Sequence, residues 1–207
     1  MLKRLKRAMQ EGREDNEKRE VWATIQRGRE FLLQGTLEEA QQFLSDAVRR
    51  FPDSAEIRIL YASTLLTVRP EDGAREVMAA IELDPDEPNR LARAADLLFS
   101  LAHFDESREY AFRARALGGS DFLFSPELTR LEADFALRDG DEDAAERGYR
   151  RAIELEPDDE ALATHLAKFL VERERQGDAM EVVEGALQTA KSKDDLTRMR
   201  REIAGEA

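Results

Sequence analysis

Two series of small residues repeat along the chain at nearly constant spacing, and this period constrains the fold more than any other feature. Neighbouring members are 34, 33, 38 and 34 residues apart in one series, and 33, 34, 38 and 34 apart in the other. The first series is Gly28, Ala62, Ala95, Ala133 and Ala167, and the second is Ala47, Ala80, Ala114, Ala152 and Ala186. Because the two series agree to within one residue in every period, the sequence predicts an array of five structural repeats.

Each repeat is expected to contain two antiparallel α-helices. Within residues 139–159, Ala145, Tyr149 and Ala152 fall on one helical face, and Glu156-Pro157 ends the pattern. A small residue at a helix crossing lets the two backbones approach, and bulky neighbours fill the space beside it. The predicted bulky neighbours are Phe31, Leu65, Leu98 and Leu170 on the first helices and Leu44, Val77 and Tyr149 on the second helices. One pair cannot cover its own apolar face, so we expect the pairs to stack into a continuous core.

The residues at these positions resemble the signature of the tetratricopeptide repeat family. The resemblance covers about residues 21–191, in repeats of about 21–53, 54–86, 87–120, 126–158 and 159–191. It rests on Gly28, Phe31, Ala40, Leu44, Ala47 and Pro52; on Tyr61, Ala62, Leu65, Ala80 and Pro85; on Ala95, Leu98, Phe104 and Ala114; on Ala133, Ala145, Tyr149, Ala152 and Pro157; and on Leu166, Ala167, Leu170, Ala179 and Ala186. The resemblance implies an all-α fold, a right-handed superhelix of antiparallel helix pairs.

Four additional residues separate the third repeat from the fourth. Gly118-Gly119 is expected to end one helix, and Ser125-Pro126 to begin the next as its N-cap and first helical residue. Between them lie Phe122, Leu123 and Phe124. The favoured interpretation is that they fold back on the seam between the repeats, because exposed aromatic clusters are rare in monomers. The alternative is an exposed contact for a partner.

Charged segments flank the array at both ends. Residues 1–20 form an extension that is expected to be helical or partly disordered, and it is interpreted as a solvated helix leading into the first repeat. The alternative for this segment is a helix that docks on a membrane surface or a partner. Residues 192–207 are predicted to form a capping helix that covers the last open face. The apolar residues of the two segments are Leu2, Leu5 and Met9, and Leu196, Met199 and Ile203.

Composition excludes several classes of protein. The 207 residues carry a net charge of −13 at pH 7, so an acidic surface disfavours nucleic-acid binding. The absence of cysteine excludes disulfides, thiolate metal sites and cysteine nucleophiles. Since no apolar run approaches the ~20 residues of a membrane span and no secretion signal is visible, we expect no stable membrane insertion and a cytoplasmic location.

No motif predicts catalysis, a metal or a cofactor. Asp139, Asp141 and Asp143 look like the start of a calcium loop, but Ala144 and Arg150 stand where that loop needs glycine and glutamate. These aspartates are interpreted as an acidic turn and helix N-cap. Two histidines are too few for a histidine-rich metal site, and no glycine-rich phosphate loop is present.

The family resemblance implies that the first helix of each repeat lines a concave groove, with repeat positions 2, 5, 9 and 12 facing inward and position 6 close by. The predicted groove residues are Arg29, Arg93, Asp96, Phe99, Arg130, Asp134, His165 and Lys168. Such a groove would hold an extended peptide or a helix, with its charged residues pairing with carboxylates, basic groups or amides of the partner. The equally weighted alternative is that Arg130 merely pairs with Asp134, and Arg93 with Asp96.

One family subtype is disfavoured. Members that bind chaperone tails through a carboxylate clamp need lysine and asparagine where this chain has Ile25 and Arg29. The expected function is therefore a non-catalytic scaffold that binds a peptide or helix of a protein partner of unknown identity. A self-assembling module that forms a homo-oligomer is the alternative, and an enzyme using the groove acids is least favoured.

Overall fold

The computed structural model describes residues 2–119 and 125–205, and within these residues it contains eleven α-helices and no strand. The helices are α1 (Leu2–Gln34), α2 (Leu37–Arg50), α3 (Ala55–Ser63), α4 (Pro70–Leu83), α5 (Pro88–Ser100), α6 (Phe104–Gly118), α7 (Pro126–Arg138), α8 (Glu142–Leu155), α9 (Glu160–Val171), α10 (Gln176–Thr189) and α11 (Asp194–Ala204). The predicted all-α fold of helix pairs is confirmed.

The helices form two compact lobes, Met1–Leu117 and Gly118–Ala207. In the first lobe α3 packs on α4, and the first helices α1, α3 and α5 also contact one another in that order. In the second lobe α7 packs on α8, α9 packs on α10, and α8 contacts α9. Within each lobe the helix pairs are therefore stacked on their neighbours, as a repeat array requires.

All ten members of the two small-residue series are buried, as the predicted helix crossings require. At Gly28, an added Cβ atom would lie 2.7 Å from Cδ2 of Leu44 on the opposite helix. The bulky neighbours Leu44, Leu65 and Tyr149 are at most 1% exposed. Small residues thus mark the close crossings, and the large residues beside them fill the core.

Local sequence signals set the helix ends. The Ser125 hydroxyl accepts a hydrogen bond from the Leu128 amide, and Pro126 is the first helical residue of α7, as predicted. At Thr36 the side chain accepts from the Glu39 amide, and the Glu39 carboxylate accepts from the Thr36 amide in return. Gly119, directly after α6, has φ of 61°, a conformation that glycine adopts without steric cost. The prediction that Phe122, Leu123 and Phe124 fold back on the seam between two repeats concerns residues outside the described ones.

The two ends of the chain differ in how they pack. α1 is one continuous helix, so the boundary drawn at residue 20 does not coincide with a helix end. α11 packs on α9 and α10, with Leu196 and Met199 buried in the core of the second lobe. Its end is marked by Gly205 with φ of 70°. Among the described helices, none combines the length and the apolar character that crossing a membrane requires.

Candidate functional site

The first helices carry two clusters of charged side chains, one in each lobe. The Glu56 cluster consists of Arg29, Glu56 and Arg93. The Asp134 cluster consists of Arg130, Asp134, Tyr149 and His165. Six of these seven residues occupy the first helices of their repeats, and Tyr149 reaches the second cluster from α8.

In the Glu56 cluster, one carboxylate joins three neighbouring helices. Glu56 lies in the first turn of α3, and its Oε1 atom accepts hydrogen bonds from Arg29 of α1 at 2.7 Å and from Arg93 of α5. The Glu56 side chain is 19% exposed, whereas those of Arg29 and Arg93 are 49% and 41% exposed. The carboxylate is therefore largely enclosed, and the two guanidinium groups face solvent.

Electrostatics keep Glu56 ionised. Burial by itself would raise the pKa of this carboxyl, but the hydrogen bonds and charges of Arg29 and Arg93 together outweigh burial and lower it. Two positive charges share one negative charge, so the cluster carries a surplus positive charge on an acidic protein. Each guanidinium has five N–H donors, and the bond to Glu56 leaves most of them available to a ligand.

In the Asp134 cluster, a buried carboxylate is satisfied from three sides. Asp134 Oδ1 accepts from the Tyr149 hydroxyl at 2.7 Å and lies 3.0 Å from His165 Nε2, while Oδ2 accepts from Arg130. Its side chain is 7% exposed. Burial, followed by the hydrogen bond and the charge of Asp134, raises the pKa of Tyr149, so the phenol stays protonated and remains a donor.

This geometry corrects the role predicted for Asp134. A partner cannot reach a carboxylate that is buried and holds three internal contacts, so Asp134 anchors α7 to α8 and α9 instead of forming the groove surface. The predicted pairing of Arg130 with Asp134 is confirmed. Arg93 does not form the predicted pair with Asp96. It donates a hydrogen bond to Glu56 on the neighbouring helix instead.

The other predicted groove residues differ in exposure. Asp96 is half-buried and already engaged within the protein. The half-buried Phe99 packs edge-on against Phe104, with ring centroids 5.2 Å apart. His165 is 43% exposed, and Lys168, one turn later on α9, is exposed. The sites predicted at Arg29, Arg93, His165 and Lys168 are thus open to solvent within their own lobes.

Sequence reasoning missed two residues of these clusters. With Ala62 taken as position 8 of the second repeat, Glu56 stands at position 2, one of the inward-facing positions of the family. That position was therefore a signal in the sequence for Glu56. Tyr149 was identified only as a core residue, and its hydrogen bond to Asp134 spans 15 residues and two helices. Within the described residues, no group of three or more histidine, aspartate or glutamate side chains is arranged to hold a metal ion.

The comparisons with known proteins agree with this architecture. A family model described as tetratricopeptide repeat matches residues 21–64. No curated protein matches the sequence.

Solved structures match nearly the whole chain at low sequence identity. A tetratricopeptide repeat protein of Thermus thermophilus has a TM-score of 0.73 at 16% identity, over 89% of this chain and 98% of that one. PilF of Pseudomonas aeruginosa has a TM-score of 0.66 at 18% identity, over 92% and 85% of the two chains. PilW, described as a type IV pilus biogenesis factor, has a TM-score of 0.67 at 16% identity, over 90% and 87%. At these identities the likeness establishes the fold alone.

Proposed function

We propose that this chain, as a tetratricopeptide repeat protein, is a non-catalytic scaffold that binds a segment of a partner protein. The segment would lie across the first helices of the first lobe. One observation carries the proposal: Glu56 ties three neighbouring helices together while Arg29 and Arg93 stay exposed. A surface that is fixed in position and still offers free donors suits recognition, because little side-chain order remains to be created on binding.

The surroundings of the arginines support a peptide or helical ligand. Ile25 lies one turn before Arg29, and Leu97 lies one turn after Arg93, and both are half-buried. Apolar side chains therefore accompany the exposed arginines, and grooves for peptides and helices present such a mixture. The type IV pilus context of PilW is one setting in which such a scaffold would work.

The test is a double charge reversal, Arg29→Glu with Arg93→Glu, in affinity capture from the native lysate followed by mass spectrometry. The matched control is Arg49→Glu with Arg75→Glu, because these arginines lie on the second helices of the same lobe and are 71% and 72% exposed. A protein that the wild type and the control enrich, and the cluster variant loses, supports the proposal.

A second double variant separates a loss of binding from a loss of folding. Arg29→Gln with Arg93→Gln removes the charge without adding acids beside Glu56, and circular dichroism checks that the helices persist. Partners that remain equally enriched with both cluster variants would show that this surface does not bind them.

A further inference from the structure

α1 is a long helix whose described half-buried side chains lie in its second half. Its 33 residues correspond to about 50 Å of helix, and its packing partners within the lobe are α2 and α3. Described side chains from Glu14 to Arg19 are all exposed, and Val21 is the first apolar residue to be half-buried. Among the described side chains of α1, burial against the lobe therefore begins near residue 20.

The first turns of α1 have a distinctive composition. Residues 2–9 read LKRLKRAM, with four basic residues and no acidic one, and the first acidic residue is Glu11. Leu2, Leu5 and Met9 recur at i, i+3 and i+7, the spacing of one helical face. The segment is thus a basic helix with apolar residues at regular spacing.

The second lobe contains an apolar groove with acidic residues along it, complementary in charge to residues 2–9. An open groove of about 430 Å³ runs between α8 and α10. Its apolar lining includes Ile153, Leu166, Val182 and Ala186, and Gly185 has open space where a side chain would stand. Since these residues belong mainly to the second helices of their repeats, this groove is distinct from the Glu56 cluster.

The charge around this groove is negative. α10 contains Asp178, Glu181 and Glu184 and no basic residue. Glu181 lines the groove, and within the described residues neither Glu181 nor Glu184 forms a salt bridge. Arg150 also lines the groove, but its guanidinium donates two hydrogen bonds to Glu146, at 3.0 and 2.9 Å.

Glu154 completes the charged lining and accepts a hydrogen bond from Arg151 at 2.8 Å. The positive charges of Arg150 and Arg151 are therefore already neutralised by partners, whereas the carboxylates of Glu181 and Glu184 are open. A basic helix with an apolar face would bury its apolar residues on the floor and place its cations against this acidic helix.

We propose that the groove between α8 and α10 binds residues 2–9 of a second copy of this chain. The contact is heterologous, because the two surfaces differ, so each copy offers one basic helix and one acidic groove to its neighbours. It belongs to the self-assembly alternative and does not depend on the Glu56 cluster. A segment of eight residues buries less than a standard interface, so the association is weak and sensitive to salt.

Sedimentation velocity tests the proposal with the full chain, from about 1 µM to about 1 mM, the range in which small interfaces dissociate. The weight-average mass should rise with concentration at low salt and fall back toward the monomer when salt is added. A strict monomer over the whole range would overturn the proposal.

Charge exchange identifies the two surfaces. The helix variant reverses Lys3, Arg4, Lys6 and Arg7 to glutamate, and the groove variant carries Glu181→Lys with Glu184→Lys. Each variant alone should remain monomeric, and a mixture of the two should associate again because the charges are complementary once more. Glu82→Lys with Asp86→Lys is the matched control, since both residues are exposed in the first lobe, and it should assemble like the wild type.

Two outcomes would contradict the assignment. Association that persists in both single variants would place the contact elsewhere on the molecule. Failure of the mixed variants to associate would show that this helix and this groove do not bind each other.

Discussion

Tyr149 joins the apolar core of the second lobe to a buried charge. Its ring packs 5.4 Å from Phe169 and 5.1 Å from His165, measured between centroids, while its hydroxyl donates to Asp134. Since burial and the neighbouring carboxylate raise the pKa of the phenol, Tyr149 remains a donor throughout the neutral range. A single side chain therefore fills the crossing of α7 and α8 and satisfies an anion beneath the surface.

We expect Tyr149→Phe to lower stability at neutral pH and to matter less in alkaline solution. Loss of the donor to Asp134 should cost about 1–2 kcal/mol at pH 7. The raised folded-state pKa means that the contribution of Tyr149 is fully present below the unfolded pKa of about 10 and is lost as the pH rises above it. Urea unfolding of both proteins between pH of about 8 and about 11 should show the difference shrinking. A constant difference would contradict the role given to the phenol.

Ala152 tests the reason for the repeat period. Its side chain is fully buried at a helix crossing, so Ala152→Leu should overpack the contact and cost about 1–3 kcal/mol in urea unfolding. Arg147→Leu on the same helix is the control, because Arg147 is exposed. Glu146 is a poor control, since it bonds to Arg150 and Arg175. Similar costs at positions 147 and 152 would mean that the close crossing lies elsewhere.

At the scale of helices, α3 holds its two neighbours through a side chain as well as through packing. Glu56 accepts hydrogen bonds from Arg29, 27 residues earlier in the chain, and from Arg93, 37 residues later. The three helices belong to three successive repeats, so a single carboxylate links units that are distant in the chain. This link fixes the surface on which the proposed partner would lie.

Glu56→Gln should weaken the first lobe in a pH-dependent way. The loss should be about 1–2 kcal/mol at pH 7, because two charge-assisted hydrogen bonds become weaker. The folded-state pKa of Glu56 is lowered, so its stabilisation is present above the unfolded pKa of about 4.3 and is lost as the pH falls through the folded value. In urea unfolding, the free energies of unfolding of the wild type and Glu56→Gln should therefore differ clearly at pH of about 7 and only slightly at pH of about 3. Glu82→Gln, at an exposed position on α4, should change little at either pH.

At the scale of the whole chain, each lobe has buried residues of its own. The core of the second lobe joins Tyr149, Leu166, Leu170 and Leu196 from three helices. A smaller cluster in the first lobe joins Ala47, Phe51 and Ile57. Repeat arrays gain stability mainly from contacts within a repeat and with its neighbours, so a local defect should stay local.

Hydrogen exchange should show whether a local defect stays within its lobe. Ala152→Leu should reduce amide protection in α7 to α11 and leave α1 to α5 nearly unchanged. Ala62→Leu, at an equally buried position of the first lobe, should show the opposite pattern. If either substitution lowered protection equally throughout the chain, the lobes would have to unfold as one cooperative unit.

The sequence alone determined that the chain folds into stacked pairs of helices and which small residues are buried between them. The period of Ala62, Ala95 and Ala133 identified the buried crossings, and Ser125-Pro126 identified a helix start, because helix periodicity and capping depend on residues close in the chain. The match to known folds agrees with that reading.

Only the tertiary structure decided which charged side chains meet. Arg93 had Asp96 one turn away on its own helix, yet it binds Glu56 on α3. Asp134 had Arg130 one turn away and does bind it, but Tyr149 and His165 also contact its carboxylate, which is buried. Long polar side chains reach across helix crossings, so their partners depend on the relative placement of helices, which no local pattern encodes.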